Sequence, residues 1–236
     1  MQAIILAGGK GRRLKPFTYT LPKPLMPIWE TPILEILLKQ LKHYGIRDII
    51  LSINHLAEII MAFFGDGRKL GLNIRYSEEK KPLGTAGPIS LLKDKLEDDF
   101  LVMNGDLLTT INFKAILDQH KKKKSIATIG THKRDVSIDY GVLEIENGYL
   151  KDYIEKPKYH YDVSVGINVF NKECFKYLKP GQKIDIPEFI IKMKEKGEEI
   201  SCFDCNKYYW LDIGRVDDYQ VANDFFIKYK HEFLKK

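Results

Sequence analysis

Three apolar runs in the first half of the chain predict buried β-strands. Ala3 to Ala7, Asp48 to Ile53 and Phe100 to Met103 are apolar at most of their positions. Runs without the alternation of a half-exposed strand are typical of parallel strands that are covered on both faces. The first run ends at a glycine pair, Gly8 and Gly9. We therefore predict that the three strands belong to one largely parallel sheet.

Helical spacing of apolar residues separates the predicted strands. Between the first two, apolar side chains recur every three or four positions from Ile33 to Tyr44, which places them on one face of a helix. Before the third strand a second helical pattern runs through Ile89 and Leu92, and Thr85 is predicted to cap its N-terminus. Strands and helices that alternate in this way predict right-handed βαβ units.

The chain changes in character after about Lys133. Its apolar segments become short, rich in Tyr, Val and Ile, and broken by glycine, and Asn147 with Gly148 predicts the turn of a β-hairpin. Helical spacing returns in the range 185–196. We therefore predict that an α/β core is followed by a β-rich lobe.

The last segment has an aromatic face at helical spacing. The residues on that face are Tyr219, Ala222, Phe225, Phe226 and Tyr229. Such a face is usually covered by the rest of the same chain, and we predict that role here. Contact with a second copy in a homodimer is the alternative.

These elements predict one domain over residues 1–236 in the α/β class. The expected architecture is a three-layer α/β/α, Rossmann-like arrangement around a mostly parallel sheet, with the β-rich lobe attached. Ligands of such sheets bind outside the carboxyl ends of the strands. The glycine loop that begins at Gly8 follows one such end and is the first candidate for a binding site.

Composition and charge narrow the class of protein. Hydrophobic residues make up 44% and charged residues 30% of the chain, as in ordinary soluble proteins. The 38 Lys and Arg exceed the 32 Asp and Glu by six, which favours small anionic ligands. The densest basic run, Lys121 to Lys124, is predicted to be a solvated helix end, so no nucleic-acid partner is expected. No apolar stretch is long enough for a membrane span or a signal peptide, and we expect a cytoplasmic protein without a membrane partner.

The three cysteines predict neither disulfides nor a metal site. Their number is odd, which favours a reducing compartment. Cys202 and Cys205 form C-x-x-C, but no second pair stands at zinc-ligand spacing. We interpret them as free thiols on a strand.

The glycine loop after the first strand, "LAGGKGRRLKP", is compared with two known phosphate-binding loops. Gly9 and Gly11 are followed by Leu14 instead of a third glycine, and the second strand ends at Asn54 instead of an acidic residue, so the dinucleotide pattern fails. The Gly-Lys-Ser/Thr triplet of a P-loop is absent from the sequence. What remains is a loop whose backbone amides can approach an anion closely.

Two cations accompany this loop. Arg13 lies within it, and Lys23 follows in "LPKPL" between Pro22 and Pro24, which stiffen the backbone. A guanidinium fork matches phosphate geometry. The loop and its cations together predict a phosphate-binding site.

Six motifs in order closely resemble one family of enzymes. They are "LAGGKGRRLKPFT" with "LPKPLMPI", "EKKPLGTAGPISLL", "FLVMNGDLL", "YGVLEI" with "YIEKP", "VGINVF" and "YWLDIGRVDDY", and they extend from Gln2 to about Asn223. The chain resembles the sugar-1-phosphate nucleotidyltransferases, also called nucleoside-diphosphate-sugar pyrophosphorylases. Within that family it is most similar to the mannose-1-phosphate guanylyltransferase-like branch.

The resemblance implies a reaction and its partners. A nucleoside triphosphate, expected to be GTP, condenses with a mannose- or heptose-like sugar 1-phosphate to give a nucleoside diphosphate sugar and pyrophosphate. Mg²⁺ is the implied cofactor, and surface glycan or polysaccharide biosynthesis is the implied pathway. A uridylyltransferase acting on glucose 1-phosphate or an N-acetylated amino sugar 1-phosphate is the alternative.

Two other classes fit the sequence less well. Nucleotide-sugar-dependent glycosyltransferases usually hold their metal with D-x-D, whereas Asn104, Gly105 and Asp106 supply a single carboxylate. A regulatory subunit without activity would be expected to have lost one of the four charged residues Arg13, Lys23, Asp106 and Asp212, and all four are present.

The resemblance also implies a role for individual residues in three regions. A nucleotide-binding lobe is implied for about 1–133, a sugar-binding β-rich lobe for about 134–200, and a closing strand and C-terminal helix for about 200–236. The implied catalytic residues are Arg13, Lys23 and Asp106, and the implied Mg²⁺ ligands are Asp106 and Asp212. The implied nucleotide-binding residues are Leu6, Ala7, Gly8, Gly9, Gly11, Arg13, Lys23, Gly84, Thr85, Asn104 and Gly105. The implied sugar-phosphate residues are Gly141, Glu155, Lys156 and Gly166.

The sequence departs from the family pattern at four positions. Arg12 stands where the family usually has Thr, and it either adds a cation near the triphosphate or points to solvent. Ser164 and Val165 replace a frequent Asn-Ala, and Asn168 stands where Tyr is common. The last three positions lie in the region expected to touch the sugar, so the identity of the sugar stays open.

Overall fold

A computed structural model describes residues 1–79, 81–214 and 216–234, without the side chains of Val216 and Asp217. The last two residues of the predicted region 200–236 lie outside this description. The strands are β1 (Gln2–Leu6), β2 (Pro27–Ile28), β3 (Thr31–Pro32), β4 (Asp48–Ile53), β5 (Asn73–Glu78), β6 (Asp99–Asn104), β7 (Leu107–Thr109), β8 (Ala127–Ser137), β9 (Val142–Glu146), β10 (Tyr149–Ile154), β11 (Lys158–Asn171), β12 (Ile200–Asp204) and β13 (Trp210–Asp212). The helices are α1 (Ile33–His43), α2 (Ala57–Phe64), α3 (Phe113–Lys123), α4 (Ile186–Glu195) and α5 (Val216–Phe233).

Seven strands form the central sheet, in the order β12-β8-β11-β6-β1-β4-β5. β1 pairs in parallel with β4 and β6, β4 with β5, and β8 with β12, whereas β11 runs antiparallel to both of its neighbours. The three strands predicted from apolar runs are β1, β4 and β6, adjacent at the centre of the sheet. The prediction of a mostly parallel sheet is therefore confirmed.

Hydrophobic cores lie on both faces of the sheet. Ala3 and Ile5 point into a core shared with α1, α2 and α3, while Ile4 between them points into a second core shared with α4, and all three residues are 0% exposed. Burying an isoleucine side chain fully stabilises a fold by about 1.5–3 kcal/mol. The alternation of one strand between two cores confirms the three-layer α/β/α architecture.

The aromatic face of α5 closes a third core. Ala222, Phe226 and Phe233 are 0% exposed and pack with Leu14 and Leu108, among others. Ala222 and Phe226 therefore confirm the core role that was predicted for this face. Contact with a second copy stays a prediction.

The residue predicted to cap a helix has a different role. Residues Gly87–Lys95 form a 3₁₀ segment instead of an α-helix, and no side chain caps it. The Thr85 hydroxyl instead accepts a hydrogen bond of 2.8 Å from the N–H of Ile186 in α4. The predicted cap is wrong because the N–H and the hydroxyl of Thr85 both donate to Asp185, the residue directly before α4, which holds Thr85 against that helix.

The β-rich part of the chain has the predicted hairpin. β9 and β10 pair in antiparallel fashion, and the turn residues Asn147 and Gly148 have φ angles of 53° and 82°. Two successive positive φ values match the right-handed twist of the flanking strands. The hairpin is confirmed, while the boundaries proposed for the lobes near 133 and 200 stay predictions.

Other sequence expectations have a structural outcome. α3 ends at Lys123, and the exposed run of lysines is a helix end, as predicted. The cysteines are free, with Cys202 exposed on β12 and Cys205 buried just after it. Within residues 1–79, 81–214 and 216–234, no cluster of three metal-ligating His, Cys, Asp or Glu side chains occurs, and no helix has the length and hydropathy to cross a membrane.

A buried histidine makes the stability of the fold depend on pH. His120 is 2% exposed, its Nδ1 lies 2.8 Å from Thr128 Oγ1, and its Nε2 lies 3.4 Å from Asp99 Oδ1. Burial lowers the pKa of His120, and the Asp99 carboxylate opposes this effect without cancelling it. As pH falls through the ordinary value of about 6.5, the unfolded chain therefore takes up a proton more readily than the folded chain.

We expect the free energy of unfolding to decrease between pH 7.5 and pH 5.5, and to decrease less in His120→Gln. Urea titrations of both proteins at several pH values measure this dependence. Parallel pH profiles for the two proteins would contradict a neutral buried His120.

Candidate active site

An open cleft lies at the carboxyl ends of β1, β4 and β6, where the sequence placed the binding site. It encloses about 1410 Å³, including its open mouth. Ten of the predicted site residues line it: Leu6, Ala7, Gly8, Gly9, Gly11, Lys23, Gly84, Thr85, Asn104 and Asp106. Arg13 and Gly105, which were also predicted to bind nucleotide, do not line it.

A tight turn shapes the glycine loop on one side of the cleft. Gly11 has a φ of +57°, and a Cβ there would lie 2.7 Å from Thr18 Cγ2. The Gly11 carbonyl accepts hydrogen bonds from the Thr18 hydroxyl at 2.8 Å and from the N–H of Leu14 at 2.9 Å. Glycine is required at this position by both its backbone conformation and its close neighbour.

Lys23 lies between two carboxylates that come from distant parts of the chain. Its ammonium group pairs with Asp106 and lies 3.9 Å from Asp212 Oδ1. The side chains of Lys23, Asp106 and Asp212 are 11%, 24% and 44% exposed, respectively. Asp212 reaches this point because β13 pairs with β7, which places it opposite Leu107. The structure therefore brings the predicted cation and both predicted metal ligands together.

The two adjacent arginines of the loop have different surroundings. Arg12 is exposed and lines the cleft. A Cβ built on Gly214 would lie 3.1 Å from Arg13 Nη2 and 3.1 Å from each carboxylate oxygen of Asp212. Arg13 is therefore located beside Asp212, whereas Arg12, whose direction the sequence left open, lines the cleft.

Gly105 and Gly166 hold neighbouring strands close together. The N–H of Gly105 donates to the Leu6 carbonyl at 3.0 Å, and a Cβ on Gly105 would lie 3.1 Å from that oxygen. Gly166 has a φ of +72°, and a Cβ there would lie 2.7 Å from Asn104 Nδ2. Of the four predicted sugar-phosphate residues, Gly166 is thus the one that packs directly on a residue lining the cleft.

The other three predicted sugar-phosphate residues lie beside the hairpin, directly before β9 and directly after β10. The Tyr153 hydroxyl donates to Glu155 Oε2 at 3.1 Å, and the same ring leaves no room for a Cβ at Gly141. Lys156 follows with a φ of 45°. None of the three lines the cleft that the structure describes. Asn168, expected near the sugar, is 2% exposed within β11.

Glu79 is a cleft residue that the sequence analysis missed. It follows β5 directly, lines the cleft, and accepts a hydrogen bond of 2.8 Å from the N–H of Leu83 through Oε2. Asn54, which follows β4, donates to the Glu79 carbonyl at 2.9 Å. Burial raises the pKa of the Glu79 carboxyl, and the Leu83 N–H opposes this effect. Its position at the carboxyl end of a parallel strand was the signal that could have identified it.

The fold and the site agree with one protein family. Residues 2–228 match the family model described as "Nucleotidyl transferase". The chain belongs to this family, and the resemblance found in its motifs is confirmed.

Relatives within the family differ in the nucleotide they use. The chain is 34% identical to a UTP--glucose-1-phosphate uridylyltransferase from Synechocystis over 94% of its length, and 34% identical to a probable mannose-1-phosphate guanylyltransferase 3 from rice over 93%. It spans 62% and 63% of the length of those two relatives. The crystal structure of HddC from Yersinia pseudotuberculosis complexed with GMP-PN is similar with a TM-score of 0.74 and 25% identity, covering 95% of this chain and 99% of that one.

Proposed function

We propose that this chain condenses a nucleoside triphosphate with a sugar 1-phosphate, giving a nucleoside diphosphate sugar and pyrophosphate. The observation that carries the proposal is the convergence of Lys23, Asp106 and Asp212 beside a glycine-lined cleft. Membership of the nucleotidyl transferase family supports the same reaction class. We further propose a role in surface glycan or polysaccharide synthesis. For the location we propose the cytoplasm, because free cysteines fit a reducing compartment.

In the proposed reaction a phosphate oxygen of the sugar 1-phosphate attacks the α-phosphorus of the triphosphate. A new P–O bond forms, and the bond to the bridging oxygen of the departing pyrophosphate breaks. Two anions must approach each other, so neutralising charge and holding the reactants in line supply most of the catalysis. Lys23 neutralises charge on the reacting phosphates, and Arg13, beside Asp212, binds the leaving pyrophosphate.

The carboxylates fit the cofactor that the family implies. Asp106 and Asp212 already share one cation, the ammonium group of Lys23. Mg²⁺ in nucleotide sites is usually held by one or two carboxylates together with substrate phosphates, so these two residues are a suitable donor set. When bound, Mg²⁺ would neutralise charge on the phosphate oxygens, and Asp106 and Asp212 would hold it.

Glu79 supports a guanine base over a uracil base. Guanine presents two adjacent N–H donors on its pairing edge, whereas uracil presents one. An ionised carboxylate only accepts hydrogen bonds, and its two oxygens can accept a pair of donors. Glu79 lines the cleft and its Oε2 accepts from the N–H of Leu83, so in this proposal the remaining acceptor positions of the carboxylate bind the base. We therefore propose GTP, with uridylyl transfer as the alternative that one relative supports.

Substrate choice is the first test. We expect pyrophosphate release only when a triphosphate and a sugar 1-phosphate are both present with Mg²⁺. Four triphosphates assayed against mannose, heptose, glucose and N-acetylated amino sugar 1-phosphates should give the highest rate with GTP and a mannose- or heptose-like sugar. Silence across the panel would refute the proposed reaction, and a maximum with UTP would favour the alternative.

The second test concerns the base. Glu79→Gln should raise the KM for GTP about tenfold or more, because a hydrogen bond to a charged group contributes about 1.5–3 kcal/mol. The ratio of kcat/KM for GTP to that for UTP should fall. Glu78→Gln is the matched control, since Glu78 is the adjacent and exposed last residue of β5. An unchanged ratio in Glu79→Gln would remove Glu79 from the base site.

The third test concerns Mg²⁺. Asp106→Asn and Asp212→Asn should each lower kcat by more than about 100-fold, with the melting temperature largely retained. Rates measured across a Mg²⁺ titration show whether higher metal concentrations restore activity in part. Asp118→Asn, on the exposed face of α3, is the control. Wild-type rates in either variant would show that the residue is not a metal ligand.

A further inference from the structure

The loop Gly84–Gly87 on the nucleotide side of the cleft is tied to a distant segment. The N–H groups of Ala86 and Gly87 donate to the Ile184 carbonyl at 3.0 and 3.1 Å, and the N–H of Ile184 donates to the Leu83 carbonyl at 2.9 Å. These bonds join parts of the chain about 100 residues apart. The loop is therefore supported from behind by the residues that lead into α4.

The two glycines of the loop leave space for the segment 182–185 to pack closely against it. Gly84 has a φ of +81°, and a Cβ there would lie 2.6 Å from the Ile184 carbonyl oxygen and 2.8 Å from Asp185 Oδ1. A Cβ at Gly87 would collide with the carbonyl of Gln182. Close packing of the protein against itself thus requires glycine at both positions, whatever ligand binds in front.

At the start of α4, Thr85 takes the capping role that would be expected of Asp185, and Asp185 binds Thr85 instead. Asp185 occupies the N-cap position of α4, yet its side chain does not cap that helix. Its Oδ1 instead accepts from the N–H of Thr85 at 2.9 Å and from the Thr85 hydroxyl at 3.1 Å. The Thr85 hydroxyl in turn accepts from the N–H of Ile186, the first residue of α4.

The helix behind this exchange is fixed in the core. Phe189 and Met193 of α4 are 0% exposed and belong to the core on that face of the sheet. Asp185 itself is exposed and does not line the cleft, whereas Gly84 and Thr85 do. Backbone hydrogen bonds to Ile184 connect the loop to this helix, and the Asp185 carboxylate is the side chain that holds Thr85 itself.

We propose that Asp185 is a positioning residue for nucleotide binding. It holds Thr85, and with it the loop wall that faces the nucleotide, in the binding conformation before the ligand arrives. This inference rests on the proposed function, because it takes the ligand of the cleft to be a nucleoside triphosphate. A preformed loop lowers the entropy lost on binding, so the effect of Asp185 belongs to nucleotide affinity and not to the chemical step.

Kinetics of Asp185→Ala test the proposal. Losing two hydrogen bonds should raise the KM for GTP about tenfold, with the KM for the sugar phosphate and kcat each within about twofold of wild type. Asp185→Asn keeps an acceptor oxygen at the same place and should restore the KM for GTP to within about twofold. Calorimetric titration with GTP alone should show the same order of affinities.

Glu188→Ala is the matched control. Glu188 lies in the first turn of α4, is exposed, and makes no hydrogen bond to the loop within the described residues. It removes a carboxylate from the same helix end, so it accounts for any general effect of charge on α4. Its KM for GTP should equal that of wild type.

The outcomes separate this proposal from the proposed function. If wild type gives no turnover with any substrate pair and does not bind GTP, the proposed function fails. If wild type is active but Asp185→Ala leaves the KM for GTP unchanged, raises both KM values equally, or is not rescued by Asn, the positioning role is refuted. The positioning role is supported if Asp185→Ala raises only the KM for GTP, Asp185→Asn restores that KM, and Glu188→Ala leaves it unchanged.

Discussion

The pairing of one ammonium group with two carboxylates is the interaction on which the organisation of this protein depends. Lys23 and Asp106 are 83 residues apart along the chain, and Asp212 comes from a third part of the fold. Two carboxylates placed side by side repel each other unless a cation lies between them. Lys23 supplies that cation, so both acids can lie close together at this point.

Different strands of the fold position the two acids beside Lys23. The central strand β6 leads to Asp106, and the short pair of β7 and β13 carries Asp212 to the same place. The buried face of α5 covers Leu108 and Ile213, the residues next to that pair. The aromatic helix at the end of the chain is remote in sequence from Lys23, yet it supports the strand pair that positions Asp212 beside that residue.

Sequence patterns predicted the elements whose signal is local and repeated. The continuous apolar runs identified β1, β4 and β6, and the Asn147-Gly148 pair identified the hairpin, because each pattern reflects burial or backbone conformation of the residues themselves. Thr85 was assigned to the wrong helix because its partner, Asp185, is 100 residues away. The direction of the Arg12 side chain stayed open for a similar reason, since the cleft that Arg12 lines is built from distant parts of the chain. Glu79 was missed because its strand, β5, alternates between buried and exposed residues and has no continuous apolar run.

The long strand β11 has an irregular stretch beside the cleft. It continues for 14 residues from the exposed outer ladder into the central sheet, and its pairing with β8 is interrupted between Ser164 and Asn168. Gly166 lies inside that interruption with a positive φ and packs on Asn104. An irregularity of this kind bends a strand locally and changes the direction of its side chains. It therefore sets the angle at which the outer part of β11 leaves the central sheet, next to Asn104 of the cleft wall.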